Sequence, residues 1–114
     1  MKLLLDEHKT ALALNGRRIA ETGNDDLKPV VKLFTPDANC TWLLVSTEPD
    51  DPDIAYGLCD LGHGCPEIGS VRLSEIAELR GFLGLPVERD VYFTPAFTLS
   101  EYADNARTDG WIKC

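Results

Sequence analysis

Apolar and polar positions alternate differently in different parts of the chain, and each change of period predicts an element. Over residues 6–21, DEHKTALALNGRRIAE, Leu5, Leu12 and Ile19 recur every seven positions with Ala11 beside them, the narrow apolar stripe of a helix. Asp6 and Glu7 suit its positive end, Arg17 and Arg18 its negative end. Asn15-Gly16 is a turn signal inside that stripe, so the helix is expected to end or bend there.

A polar linker, TGNDDLKP, precedes a short strand over 30–34 that stops at Thr35-Pro36. Residues 40–47, CTWLLVST, set Trp42 and Leu44 on one face and Leu43 and Val45 on the other. A strand apolar on both faces is a central strand covered on both sides. EPDDPD is a solvated loop. Residues 54–61 and 67–73 form the next two strands. Their short glycine-rich link holds no crossover, so they pair antiparallel.

Ser74 is an N-cap for SEIAELRG, with Gly81 as a left-handed stop and Ile76, Leu79 and Leu83 as the buried stripe. VERDVYF, 87–93, is a further strand with Val87, Arg89, Val91 and Phe93 on one face and Glu88, Asp90 and Tyr92 on the other. Thr98 or Ser100 starts a last helix through Arg107, with Leu99, Tyr102 and Ala106 inward; Trp111 is expected to tuck the tail onto the body. The order predicts an α+β fold. An antiparallel sheet of four or five strands, a meander plus one, packs with an N-terminal, a middle and a C-terminal helix. One domain covers 1–114: helix and linker over 1–28, core over 29–107.

The 114 residues are the size of one domain, able to bury about two thirds of the unfolded surface. Nineteen acids against eleven bases give a net charge of −8. That charge disfavours nucleic-acid backbones and anionic membranes as direct partners. The apolar runs Leu3–Leu5 and Trp42–Val45 are too short to span a bilayer. MKLLLDEHK lacks the apolar region of a signal peptide, so a cytoplasmic protein with four reduced cysteines is expected.

Cys59, His63 and Cys65 fall within GLCDLGHGCPEIG. They supply three donors where zinc takes four, at a spacing unlike paired C-x-x-C. A glycine turn explains more residues: Gly62 and Gly64 supply positive φ, Pro66 ends the turn, and Cys59 faces apolar surroundings. Neither a metal nor another cofactor is expected. Asp60 and Glu67 would raise a nearby thiol pKa, which speaks against cysteine catalysis. Arg89 on an apolar face needs a partner, for which Asp60 and Glu67 are the candidates. A candidate binding surface therefore comprises Glu88, Arg89, Asp90, Asp60 and Glu67. The acids Glu48, Asp50, Asp51 and Asp53 lack the pattern of a calcium loop.

VVKLFTPDANCTWLL, the stretch from DPDIAYGLCDLG to GLPVERDVYF, and LSEYADNAR together resemble an uncharacterised bacterial family, domain of unknown function 2958, from about Val30 to Arg107. The most specific pieces are the Tyr56–Gly69 strand–turn–strand, Arg72-Leu73-Ser74-Glu75, and Gly84–Asp90. The family pattern often has a plain hydrophobe where His63 stands. The resemblance carries no activity, cofactor or catalytic residue. It implies an accessory module of plasmids, phages or integrative elements. The expected function is non-enzymatic protein binding. The alternatives are an acidic inhibitor mimicking DNA charge, and a small-substrate enzyme using Arg89 with Glu88 or Asp90.

Overall fold

The computed structural model describes residues 2–114. Five strands form one antiparallel sheet: β1 (Val31–Phe34), β2 (Thr41–Thr47), β3 (Ile54–Asp60), β4 (Glu67–Arg72) and β5 (Glu88–Arg89), in the spatial order β4-β3-β2-β1-β5. Three helices complete it: α1 (Asp6–Thr22), α2 (Leu73–Glu78) and α3 (Leu99–Asp109). This is the α+β meander plus one strand that the pattern predicts.

The central strand is β2, as its two apolar faces require. Trp42 and Leu44 enter one layer with Leu4, Leu12, Val31, Leu33, Ile76 and Val87. Leu43 and Val45 enter the other with Leu58, Leu99, Tyr102, Ala106 and Ile112. Leu4 and Leu12 belong to the first layer while Ile19 packs on the second. The N-terminal segment and α1 thus pass over the end of β2 from one face of the sheet to the other.

Asn15-Gly16 does not end α1. Gly16 is buried against β2, where a Cβ would lie 1.9 Å from the Thr47 carbonyl oxygen. Asn15 Nδ2 donates to the Val45 carbonyl at 2.9 Å. Val45 is the residue skipped in the β2–β3 register, so a side chain serves a carbonyl at the bulge. The dipeptide that reads as a turn is a docking surface for helix on strand.

Other boundaries differ for local reasons. Helix α2 starts at Leu73 with Arg72 at its N-cap. Ser74, one residue inside, is held from outside by Asp53, which accepts from its N–H (2.9 Å) and its hydroxyl (2.7 Å). Asp26 clasps Ser100 in α3 the same way, at 2.7 Å for both bonds, while Thr98 forms a capping box with Glu101. Helix α2 ends at Glu78 with extended Leu79 as its C-cap, not at Gly81, and only Ile76 of the expected stripe is buried.

Strand β5 has two residues. Beyond it Asp90 turns the chain, its Oδ1 accepting from Tyr92 N–H at 2.9 Å, so the alternation expected over 87–93 is lost after Arg89. Ile112, rather than the half-exposed Trp111, tucks the tail onto the body. Among the described residues, no helix is long and apolar enough to cross a membrane.

Candidate functional site

The five residues expected to form one surface are spread across the sheet. Glu88 and Arg89 sit on edge strand β5 with Asp90 just after it. Glu67 opens the opposite edge, β4, and Asp60 ends β3 between them. Arg89 Nη1 donates to the carbonyls of Lys2 (2.7 Å) and Leu3 (3.0 Å). Its partner is thus neither Asp60 nor Glu67 but backbone, and it fastens the N-terminal segment to the edge of the sheet. Asp90 lies 3.5 Å from Lys32 Nζ. Glu67 is exposed opposite Cys59. A hollow of about 200 Å³ beside Arg89 and Asp90 also meets Glu7 and His8. The His8 Nδ1 there accepts from Leu5 N–H at 3.1 Å. In that hollow the guanidinium, Asp90 and this imidazole nitrogen are already engaged within the fold.

The cysteine–histidine segment is a turn with Gly62 and Gly64 at φ of 81° and 79°. Cys59 packs against the first apolar layer opposite Trp42. Burial pushes its thiol pKa up to about 11, so it is almost wholly protonated at neutral pH and a poor nucleophile. His63 and Cys65 are exposed. Among the described residues, no three His, Cys, Asp or Glu side chains lie together as a ligand set. All four cysteines are free, and burial raises the Cys40 thiol as well. Asp60 is 3% exposed. Its Oδ1 accepts from Gly62 N–H at 2.9 Å and its Oδ2 from Ile112 N–H at 3.1 Å. One buried carboxylate therefore shapes the turn and holds the tail.

The strand register brings three connections to one end of the sheet. The β1–β2 turn, the β3–β4 turn and the segment entering β5 all lie where Phe34 pairs with Thr41 and Glu88, and Thr41 with Asp60. The tail joins them through Asp60. Under the tail lies a hollow of about 610 Å³, lined on its polar side by Lys32, Thr35, Asn39, Asp60 and Lys113, with Trp111 at its wall.

Beside it projects the segment between α2 and β5. Asp37, from the β1–β2 turn, reaches into this segment, and its Oδ2 accepts from Leu83 N–H (2.7 Å) and Leu85 N–H (3.2 Å). Gly81 N–H donates to the Leu85 carbonyl and Gly84 N–H to the Gly81 carbonyl, both at 3.0 Å. A Cβ at Gly81 would stand 1.6 Å from Asp37 Oδ1, so glycine is what admits the carboxylate. The clasp leaves Phe82 89% and Leu83 80% exposed. Two adjacent large apolar side chains held in water on an ordered turn make this segment a candidate contact surface. Phe82 carries a sequence signal: it follows Gly81 directly and lies off the Ile76–Leu79–Leu83 spacing. Leu83 carries none, because it continues that spacing.

The family profile of DUF2958, described as a protein of unknown function, matches residues 3–113. The chain belongs to this family. No curated protein and no solved structure matches it. The match runs beyond the stretch legible as a resemblance. It takes in α1 and most of the tail, so the helix that crosses β2, the Asp37 clasp and the tail-covered hollow all belong to the DUF2958 unit.

Proposed function

We propose that this DUF2958 protein is a small non-enzymatic binding module that docks another protein through the loop end of its sheet. The carrying observation is the clasped segment Gly81–Leu85, which holds Phe82 and Leu83 in solvent. Docking energy concentrates in a few large side chains that enter a partner's pocket. A prefixed segment loses little conformational freedom on binding. The hollow beside the prong, with the exposed Lys113 and Trp111 at its wall, gives the contact a rim. The net charge of −8 favours a partner with a basic surface around its apolar pocket. The bacterial mobile-element setting implied by the resemblance is part of the same proposal.

The two alternatives draw less support. For charge mimicry, the acidic run would have to present its carboxylates outward, yet Asp51 and Asp53 lie 3.4 and 3.6 Å from Arg72 Nη1. For a reaction at Arg89, Nη1 of the guanidinium is committed to Lys2 and Leu3, and Asp90 to Lys32.

The test compares the natural chain with Phe82→Ser and Leu83→Ser in capture from its host, followed by titration of the captured partner. We expect each variant to keep its thermal midpoint and to lose about tenfold or more in affinity, the cost of an anchor residue. A partner that binds both variants as tightly as the natural chain would remove the basis of the reading.

A further inference from the structure

At the opposite end of β2 the molecule has a second concave feature of different character. A cleft of about 670 Å³ opens between the N-terminal segment with α1 on one side and α2 on the other. Its lining is mostly apolar: Leu3, Leu4, Leu12, Ala13, Leu73 and Ala77. The volume is in the range of small-molecule sites. It lies beside Thr47 at the end of β2 and Asp53 at the entry to β3, whereas the loop end lies at Thr41 and Asp60. The two features are independent.

The charges around the cleft choose its occupant. Three charged residues line it: Lys2, Lys9 and Asp53. Asp53 is already used, accepting from Ser74 N–H and hydroxyl and lying 3.6 Å from Arg72. Lys2 and Lys9 have no carboxylate within 4.0 Å among the described residues. In a chain of net charge −8, a largely apolar cleft thus has two lysines without a carboxylate partner in its lining. An apolar surface removed from water beside unpaired positive charge complements a molecule with the opposite pairing.

We propose that this cleft binds a small amphiphilic anion, an apolar body carrying one acidic head group. The apolar body lies against Leu4, Leu12, Ala13, Leu73 and Ala77. The head group reaches Lys9 and Lys2 at the rim. A cationic amphiphile meets the same apolar floor and the wrong charge, so it is rejected at the rim.

Amide NMR titration of the full chain below the micelle concentration tests this, with decanoate as the probe and decyltrimethylammonium and decanol as controls. We expect saturable shifts for decanoate centred on Leu4, Ala13, Thr47 and Ala77, weaker binding of decanol, and none of the cation. Lys9→Glu reverses one exposed charge and should raise the decanoate Kd about fivefold to tenfold. Ala77→Trp fills the mouth and should abolish binding; where it perturbs the fold, the surface change Lys9→Glu decides alone. The proposal is overturned if decanoate gives no saturable shift, if the cation binds as well, or if Lys9→Glu leaves the affinity unchanged. Shifts at the cleft that grow with protein concentration in the absence of any probe would also overturn it, by showing that a second copy fills the cleft.

Discussion

Gly16 of α1 meets Thr47 of β2 with no room for a side chain: a Cβ there would stand 1.9 Å from the Thr47 carbonyl oxygen and 3.1 Å from its carbon. The obstacle is backbone in the central strand, which does not yield as a side chain tip would. In an unstrained exposed helix, alanine would be favoured over glycine by about 1 kcal/mol. Here the sign reverses. Gly16→Ala is expected to destabilise the protein by about 2 kcal/mol or more, because overpacking pushes α1 off the sheet. Urea denaturation followed by circular dichroism measures it, and a stability gain would contradict the close approach.

Arg89 is expected to act on stability. Arg89→Ala leaves the Lys2 and Leu3 carbonyls without their donor and should cost about 1–3 kcal/mol. Arg89→Lys should recover only part, since one ammonium on a flexible stem does not reproduce the planar donor fork. Amide exchange should rise first in the N-terminal segment and at β5, with the rest of the sheet still protected. An unfolded Arg89→Ala chain would show that this edge supports the whole domain.

Asp37 is remote in sequence from the prong and never touches a partner in the proposed mode, yet it should control binding. Asp37→Ala removes the acceptor of two charge-assisted bonds, each worth about 1.5–3 kcal/mol. The segment Gly81–Leu85 should then exchange its Leu83 and Leu85 amides much faster, and affinity for the partner should fall with Phe82 and Leu83 intact. Asp37→Asn keeps one acceptor oxygen and should lie between. Faster exchange without loss of affinity would separate the clasp from the docking function.

Acid should loosen two helix starts together. Hydrogen bonds from the Ser100 N–H and hydroxyl hold the Asp26 carboxyl below its ordinary value, against a smaller opposing effect of burial. Asp53 is lowered chiefly by the Ser74 hydroxyl, with the Ser74 N–H and Arg72 also helping and burial opposing. A carboxylate with a depressed folded pKa contributes stability above its unfolded value, and that contribution is lost as pH falls through the folded value. Stability should therefore decline below about pH 4, near the unperturbed carboxylate pKa. The double variant Asp26→Asn, Asp53→Asn should be less stable at neutral pH and show a shallower acid slope. Denaturant midpoints taken from pH 7 down to pH 3 make the comparison, and identical slopes would count against the clasps.

Where one residue's own pattern decides its place, the sequence was easy to read. Trp42 through Val45 carry two apolar faces, and β2 is central. Gly62 and Gly64 reverse the chain between β3 and β4 as their composition requires. What escaped were the places where a distant group overrides local preference. Asn15-Gly16 has the local chemistry of a turn, but the approach of Thr47 and the open carbonyl of Val45 make it part of a helix. Leu79 and Leu83 continue the spacing of Ile76, yet Leu79 leaves the helix and Asp37 draws the backbone at Leu83 into a turn that points its side chain outward. Arg89 on an apolar face calls for a partner, and sequence alone points to carboxylates. Backbone carbonyls from the N-terminal segment carry no sequence signature. Each of these contacts spans thirty or more positions, a range at which one sequence offers no register.

The crossing of α1 over β2 has a consequence for how the molecule can come apart. A helix that buttressed one side alone could detach and leave the other side's packing standing. Here the strut reaches both hydrophobic layers, with Leu12 in one and Ile19 against the other, so loosening it disturbs both in the same event. The sheet has no self-sufficient half, and its two sides stand or fall as one.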